Sequence, residues 1–250
     1  MPSPTPAGGA SPAGFPVTHL SLVRRVRSAD AETRARAEDA LAAVYWAPIY
    51  AHVRLSHRVE LEDAEDLTQG FFVEALRRDL FGRYEPERAR FRTYVRACVD
   101  AYVHNEAKAQ RRLKRGGGAH VLSLDIAELE ERLASDGHDD PDAVFHREWV
   151  RSVLVTAIAR LRDRYEHLGR RTHLAIFERY DVMAGGEADR RPTYAELAAS
   201  LGITATQVTN WLATTRRDFR AFVLDTLRDL SGNDEEFRAE ARALLGIDPT

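Results

Sequence analysis

The sequence predicts an all-α protein: two helical domains joined by an acidic linker, the second containing a helix-turn-helix. Three observations carry that expectation. Apolar residues recur at three-and-four spacing in every long segment, and no run alternates as a strand would. Two Thr-x-x-Glu/Gln helix starts also flank a glycine turn near the C-terminus. The 250 residues allow one or two domains, and 44% hydrophobic with 30% charged residues is ordinary for a chain with real cores. No apolar run approaches the roughly 18 residues a membrane helix needs, so no membrane partner is expected. The single cysteine, Cys98, excludes an internal disulfide and cysteine-rich zinc sites.

Residues 1–16 hold five of the ten prolines, with Gly8, Gly9 and Gly14 and no charged side chain. This composition predicts a flexible tail, too poor in apolar side chains to offset the entropy of ordering. It lacks the charged start and apolar core of a secretory signal, which makes the cytoplasm the expected compartment.

The first helical domain is expected over residues 17–115. Leu41, Val44, Tyr45, Pro48, Ile49, His52 and Val53 line one helix face, with a kink or restart expected at Pro48. A second helix carries Ala64, Leu67, Phe71, Phe72, Ala75 and Leu76 on one side. After the Gly82 and Pro86 loop, a third repeats Phe91, Tyr94, Val95, Cys98, Val99 and Tyr102. Gly116, Gly117 and Gly118 close this block. Residues 116–145 then form the expected linker. Eight acids stand against Arg132 between Leu122 and His146, a net −7, beside a basic block from Arg83 to Arg115 with ten cations and four acids, a net +6. A solvated linker with a short helix is the plain reading of such a charge run.

Helical pattern resumes over residues 146–230, first at Trp149, Val153, Ile158 and Leu161 and then at Leu174, Phe177 and Tyr180. Thr193 with Glu196, and Thr204 with Gln207, have capping-box spacing on either side of Leu201-Gly202-Ile203, which together describe a helix-turn-helix. Val208, Leu212 and Phe219 are expected to face its core. Residues 231–250 add an amphipathic helix with Phe237, Ala241, Leu244 and Leu245.

No catalytic site is expected. The sequence has no phosphate-cradling glycine loop, no His-Glu metal motif and no nucleophile elbow, and its nine histidines are scattered singly. Neither a cofactor nor a metal is called for. Nucleic-acid chemistry is better represented. The second helix of the helix-turn-helix offers Thr206, Gln207, Thr209, Asn210, Ala213 and Thr214 away from Val208 and Leu212. Asn and Gln can pair bidentately with adenine, and Thr suits phosphate or a thymine methyl. Arg216, Arg217 and Arg220 follow as phosphate contacts. In the basic block Arg88, Arg90, Arg92 and Arg96 interleave with Phe91, Tyr94 and Tyr102, and Arg111, Arg112, Lys114 and Arg115 end it. Cations beside aromatics suit single-stranded DNA, although Phe91 and Tyr102 also sit at core spacing. Five acids from Glu60 to Asp66 favour the positive end of a helix dipole and also offer a docking face to a basic protein.

These segments resemble the bacterial RNA polymerase sigma factors. Asp63-Ala-Glu-Asp-Leu-Thr-Gln-Gly-Phe-Phe, then Phe91-Arg-Thr-Tyr-Val and the basic run to Arg115, are similar to the second conserved region. The segment from Thr193-Tyr-Ala-Glu-Leu-Ala-Ala-Ser-Leu-Gly-Ile to Arg217 is similar to the fourth. With a linker between them and no third domain, the arrangement resembles the extracytoplasmic-function (ECF) group over about residues 17–230. The resemblance implies two partners, core RNA polymerase and promoter DNA, and allows an anti-sigma factor or other regulator. It implies polymerase binding by Asp63, Asp66, Gln69 and Phe72. It further implies minus-ten contact by Arg88, Arg90, Arg92, Tyr94, Arg111 and Arg112, and minus-thirty-five contact by Thr206, Gln207, Thr209, Asn210, Thr214, Arg216 and Arg217. The acidic linker would follow the path of nascent RNA. The sequence departs from the family at Gly70 (usually glutamate), at Ala101 (often asparagine) and at Thr209, Asn210 and Trp211. The C-terminal extension is expected to cover the fourth region or to bind a regulator. Two other classes fit the same residues: a stand-alone helix-turn-helix regulator, and an interaction protein that sequesters a basic partner through Glu60 to Asp66.

Overall fold

The computed structural model describes residues 21–110, 126–135, 140–183 and 191–249, and among them it is helical with no strand. The elements are α1 (Leu22–Arg25), α2 (Ala31–Ser56), α3 (Leu61–Arg77), a 3-10 turn (Phe81–Arg83), α4 (Phe91–Gln110), α5 (Ile126–Ser135), α6 (Pro141–His167), α7 (Arg171–Phe177) running into a π turn (Glu178–Val182), α8 (Tyr194–Leu201), α9 (Ala205–Asp229) and α10 (Asp234–Leu245). The expected tail lies outside the described residues. No helix among those described is long and apolar enough to cross a membrane.

Helix α2 is the axis of the larger hydrophobic cluster. It starts where Asp30 accepts a hydrogen bond from the Thr33 N–H at 2.8 Å, and every residue from Val44 to Val53 is buried. Helix α2 does not restart at Pro48, since one helix runs through it. Proline in a helix interior costs roughly 3 kcal/mol, but a helix that is apolar all round is held by neighbours on every side. Here the neighbours are Phe71 and Phe72 from α3, Phe91, Val95 and Val99 from α4, and Phe145, Trp149 and Val153 from α6. Tyr45 meets Phe91 edge-on at 5.6 Å and accepts a hydrogen bond from the Trp149 indole at 3.2 Å.

Hydrophobic side chains form two clusters, and the acidic segment is not their boundary. Helix α6 has 27 residues, about 40 Å at 1.5 Å per residue. Val144 to Ala157 serve the first cluster, while Leu161 and Tyr165 serve a second with α7, α8 and the start of α9. Helix α9 is shared likewise: Val208 and Leu212 lie in the second cluster, Val223 and Leu227 in the first. Two long helices therefore belong to both cores, and the expected edges at 116–145 and 231 divide neither one.

Two segments pack where the sequence predicts something looser. Within the acidic linker, α5 buries Leu129 and Leu133 in the first cluster, and its Glu130 accepts hydrogen bonds from Tyr50 (2.7 Å) and Arg54 (3.2 Å) of α2. Its charges are solvated on one face only, because the four-residue leucine spacing gives it an apolar stripe. Helix α10 adds Phe237 and Ala241 to the same cluster. The extension thus packs against the C-terminal half of α9, where Arg228 lies over the Phe237 ring, and covers the first cluster. Gly70 lies in close contact with α4: a Cβ at that position would overlap the Tyr102 hydroxyl, so a larger residue requires that side chain to shift.

Candidate nucleic-acid interface

The unit formed by α8, a glycine turn and α9 begins with two capping boxes, both made. Thr193 and Glu196 exchange hydrogen bonds at the start of α8, and Thr204 and Gln207 do so at the start of α9. Gly202 closes α8 at φ +65°, a left-handed conformation that strains residues with a Cβ. Val208 and Leu212 are buried against Ile176, Phe177 and Leu197, which fixes the opposite face of α9 outward. Thr206, Gln207, Thr209, Asn210 and Arg217 are exposed on that face, and Thr214 is half-buried at its edge.

Local bonds sort these side chains into free and engaged. Gln207 Oε1 accepts from the Thr204 N–H at 2.9 Å, so its carbonyl is spent on the cap. Thr209 donates to the Ala205 carbonyl at 3.1 Å. Arg216 is engaged within the chain: it grips Asp181 through two hydrogen bonds of 2.8 and 2.9 Å and lies over the Tyr180 ring. That pairing, first through its hydrogen bonds, raises the guanidinium pKa further and ties the π turn to α9. Arg217 stays 77% exposed. Trp211, one of the departures from the family pattern, stacks on His173 at 4.2 Å and belongs to the packing.

The basic face of α4 is differently placed. Arg90 and Arg92 both bond Glu240 of α10, at 3.2 and 3.0 Å. Arg92 also contacts His146 and lies over Trp149, while Arg96 pairs with Asp142 at the start of α6. Arg88 pairs with Glu85 at the surface. Tyr94 is half-buried and donates to the Leu80 carbonyl at 2.7 Å, so its hydroxyl is used within the fold. Arg111 and Arg112 lie outside the described residues. Glu236 of α10 is buried and accepts from the backbone N–H of Phe91 at 2.6 Å, of Gly232 at 2.8 Å, and from the Tyr84 hydroxyl at 3.1 Å. It caps α4 from another helix. The sequence reading missed Asp142, Glu236 and Glu240 as partners of α4. The opposite charges of neighbouring blocks were the available signal, but which acid meets which cation depends on the tertiary fold.

Of the acidic segment, Asp63 and Asp66 are exposed on α3, Gln69 is half-buried and Phe72 is turned into the core beside Phe71 at 5.5 Å. Leu76, expected on the buried side, is 45% exposed. Glu62, Asp66, Gln69, Val73 and Leu76 follow four-and-three spacing, so α3 presents one outer stripe, acidic at its start and apolar at its end.

Two histidines make stability depend on pH. Burial first, and the Arg92 charge second, hold His146 below the ordinary imidazole pKa; burial and then Arg170 do the same for His173. Both are harder to protonate folded than unfolded. Their contribution is complete above the unfolded value of about 6.5 and is lost as pH falls through the lowered folded values. Glu236 runs the other way, because burial raises its pKa and its share is lost as pH rises. Urea midpoints measured from about pH 7 down to about pH 5 are expected to fall less steeply in a His146→Asn, His173→Asn variant than in wild type. Equal slopes would exclude the two rings as the cause.

No family model, no curated protein and no solved structure matches the chain.

Proposed function

We propose that this chain is a promoter-specificity subunit of the sigma type, which brings core RNA polymerase to DNA and has no catalytic residues of its own. The observation that carries the reading is the outer face of α9: Thr206, Gln207, Thr209, Asn210 and Arg217 exposed together, directly after a capped glycine turn. In a helix-turn-helix the early residues of the second helix reach base edges and later cations hold the backbone. Asn210 and the amide nitrogen of Gln207 then read the minus-thirty-five element, and Arg217 holds phosphate. The outer stripe of α3, with Glu62 and Asp66 at its acidic end and the exposed Asp63 beside it, docks on polymerase. Contact of α4 with an opened minus-ten strand requires Glu240 and Asp142 to release Arg90, Arg92 and Arg96, so phosphates compete with these carboxylates for the same cations.

A second reading, a stand-alone DNA-binding regulator, draws support from that same pairing: with Arg90, Arg92 and Arg96 engaged, α9 offers an exposed polar face among the described residues. Capture of core polymerase by the purified chain separates the two, since a stand-alone regulator retains DNA binding and captures none. Selection from a randomised promoter library tests α9 itself. Asn210→Ala is expected to relax preference at one position, with a loss of about 1–3 kcal/mol. Arg217→Ala is expected to weaken all sequences alike and reduce the salt slope by about one. Indistinguishable sequence preferences from wild type and Asn210→Ala would remove α9 from the groove.

A further inference from the structure

Away from these surfaces, three metal-ligating side chains converge where the end of α2 meets the middle of α4. His52 lies in the last turns of α2, His57 is its C-terminal cap, and Asp100 projects from α4. Nε2 of His52 is 2.7 Å and Nε2 of His57 is 3.1 Å from one and the same atom, Oδ1 of Asp100. All three ligand atoms fall within 4.8 Å of one another. The His52 ring is 4% exposed, stands edge-on to Phe145 at 5.9 Å, and has its other nitrogen, Nδ1, 3.0 Å from the Ser56 hydroxyl. That second bond orients the ring and keeps Nε2 aimed at the carboxylate, as outer partners do for metal-binding imidazoles. The carboxylate side of the cluster is open, with Asp100 48% exposed.

We propose that His52 Nε2, His57 Nε2 and Asp100 Oδ1 bind a zinc ion, with water in the fourth position. Two imidazoles and one carboxylate oxygen suit zinc and not magnesium or calcium, which take oxygen ligands. Tetrahedral zinc with bonds of roughly 2.0–2.2 Å holds its ligand atoms roughly 3.3–3.5 Å apart. The two imidazole–carboxylate spacings, 2.7 and 3.1 Å, reach that range by a fraction of an ångström, through rotation of the partly exposed Asp100 and the surface-side His57. The plain alternative is a hydrogen-bonded triad in which both imidazoles donate to one oxygen. Zinc would lock α4 to the last turn of α2 and to the residue that begins the connection to α3. The site is independent of the function proposed above.

The test uses the full chain after treatment with chelator. Calorimetric titration with zinc chloride is expected to give one tight site per chain, and zinc is expected to raise the thermal midpoint where magnesium does not. Cobalt(II) in place of zinc should give the visible absorption of a four-coordinate site. His57→Ala and Asp100→Asn are expected to weaken zinc binding by more than roughly tenfold. Both side chains are partly exposed, and circular dichroism checks that both variants remain folded. Asp100→Asn keeps an acceptor oxygen for the imidazole N–H groups, so a merely hydrogen-bonded triad leaves its thermal midpoint equally insensitive to zinc in variant and wild type. Failure of the wild type to bind zinc stoichiometrically, or equal affinity in wild type and His57→Ala, overturns the proposal.

Discussion

Replacing Trp149 by alanine is expected to cost about 3–5 kcal/mol of folding stability. The indole is buried between α2, α4 and α6; its removal leaves the Tyr45 hydroxyl without its donor and Arg92 without the ring beneath it. The size of the loss decides an architectural question. Were α6 the first helix of a separate domain on a tether, Trp149 would be a surface residue of that domain and its loss would leave the helices up to α4 untouched. With α6 seated on α2, the whole first cluster feels the cavity. Urea unfolding followed by far-ultraviolet circular dichroism measures the effect. Val155→Ala serves as control, because Val155 is 60% exposed on the same helix and its truncation should fall within about 0.5 kcal/mol of wild type. A Trp149→Ala loss as small as the control's would dissolve the seating of α6 on α2.

Reversing the charge of Asp66 is the second large expected effect, on partner affinity and not on folding. Asp66 is exposed at the acidic end of the α3 stripe. If this stripe docks on a basic surface of core polymerase, Asp66→Arg should lower affinity by about 2–5 kcal/mol, much of it from the partner's charge left unpaired in the interface. Thermal stability should stay at the wild-type value, because the side chain contributes nothing to the core. Val73→Ala at the apolar end of the same stripe should weaken docking less. Equal capture of polymerase by wild type and Asp66→Arg would remove α3 from the interface and leave the stand-alone regulator as the better reading of α9.

The α10 helix changes how the basic block is understood. The chain as a whole is nearly neutral, yet the block from Arg83 to Arg115 and the acidic segment after it are strongly and oppositely charged. Partial neutralisation happens in the fold: Asp142 takes Arg96, and Glu240, 4% exposed, takes Arg90 and Arg92 together. A carboxylate buried with two guanidinium partners is held far more firmly than a surface pair. A nucleic acid approaching α4 would have to displace these built interactions, whereas one approaching α9 would meet exposed side chains held only by local bonds.

Much of the local structure is legible in the sequence. The helical class followed from spacing, because a 3.6-residue period forces apolar residues to recur at three and four. The starts of α8 and α9 followed from Thr193, Glu196, Thr204 and Gln207, since a cap is made by residues three apart in sequence and needs nothing distant. The outward direction of Asn210 and Arg217 followed from the inward direction of Val208 and Leu212 on the same helix. Tertiary contact decided everything that joins distant segments: that α2 continues through Pro48, that α6 and α9 each serve two cores, that Arg216 belongs to Asp181 and Arg92 to Glu240, and that Asp100 reaches His52 and His57. The physical reason is one of range. Periodicity and capping are set by neighbours within a helical turn, while the partner of a charge or a ring is set by which helices pack, and that choice lies in the summed burial of side chains dozens to hundreds of positions apart.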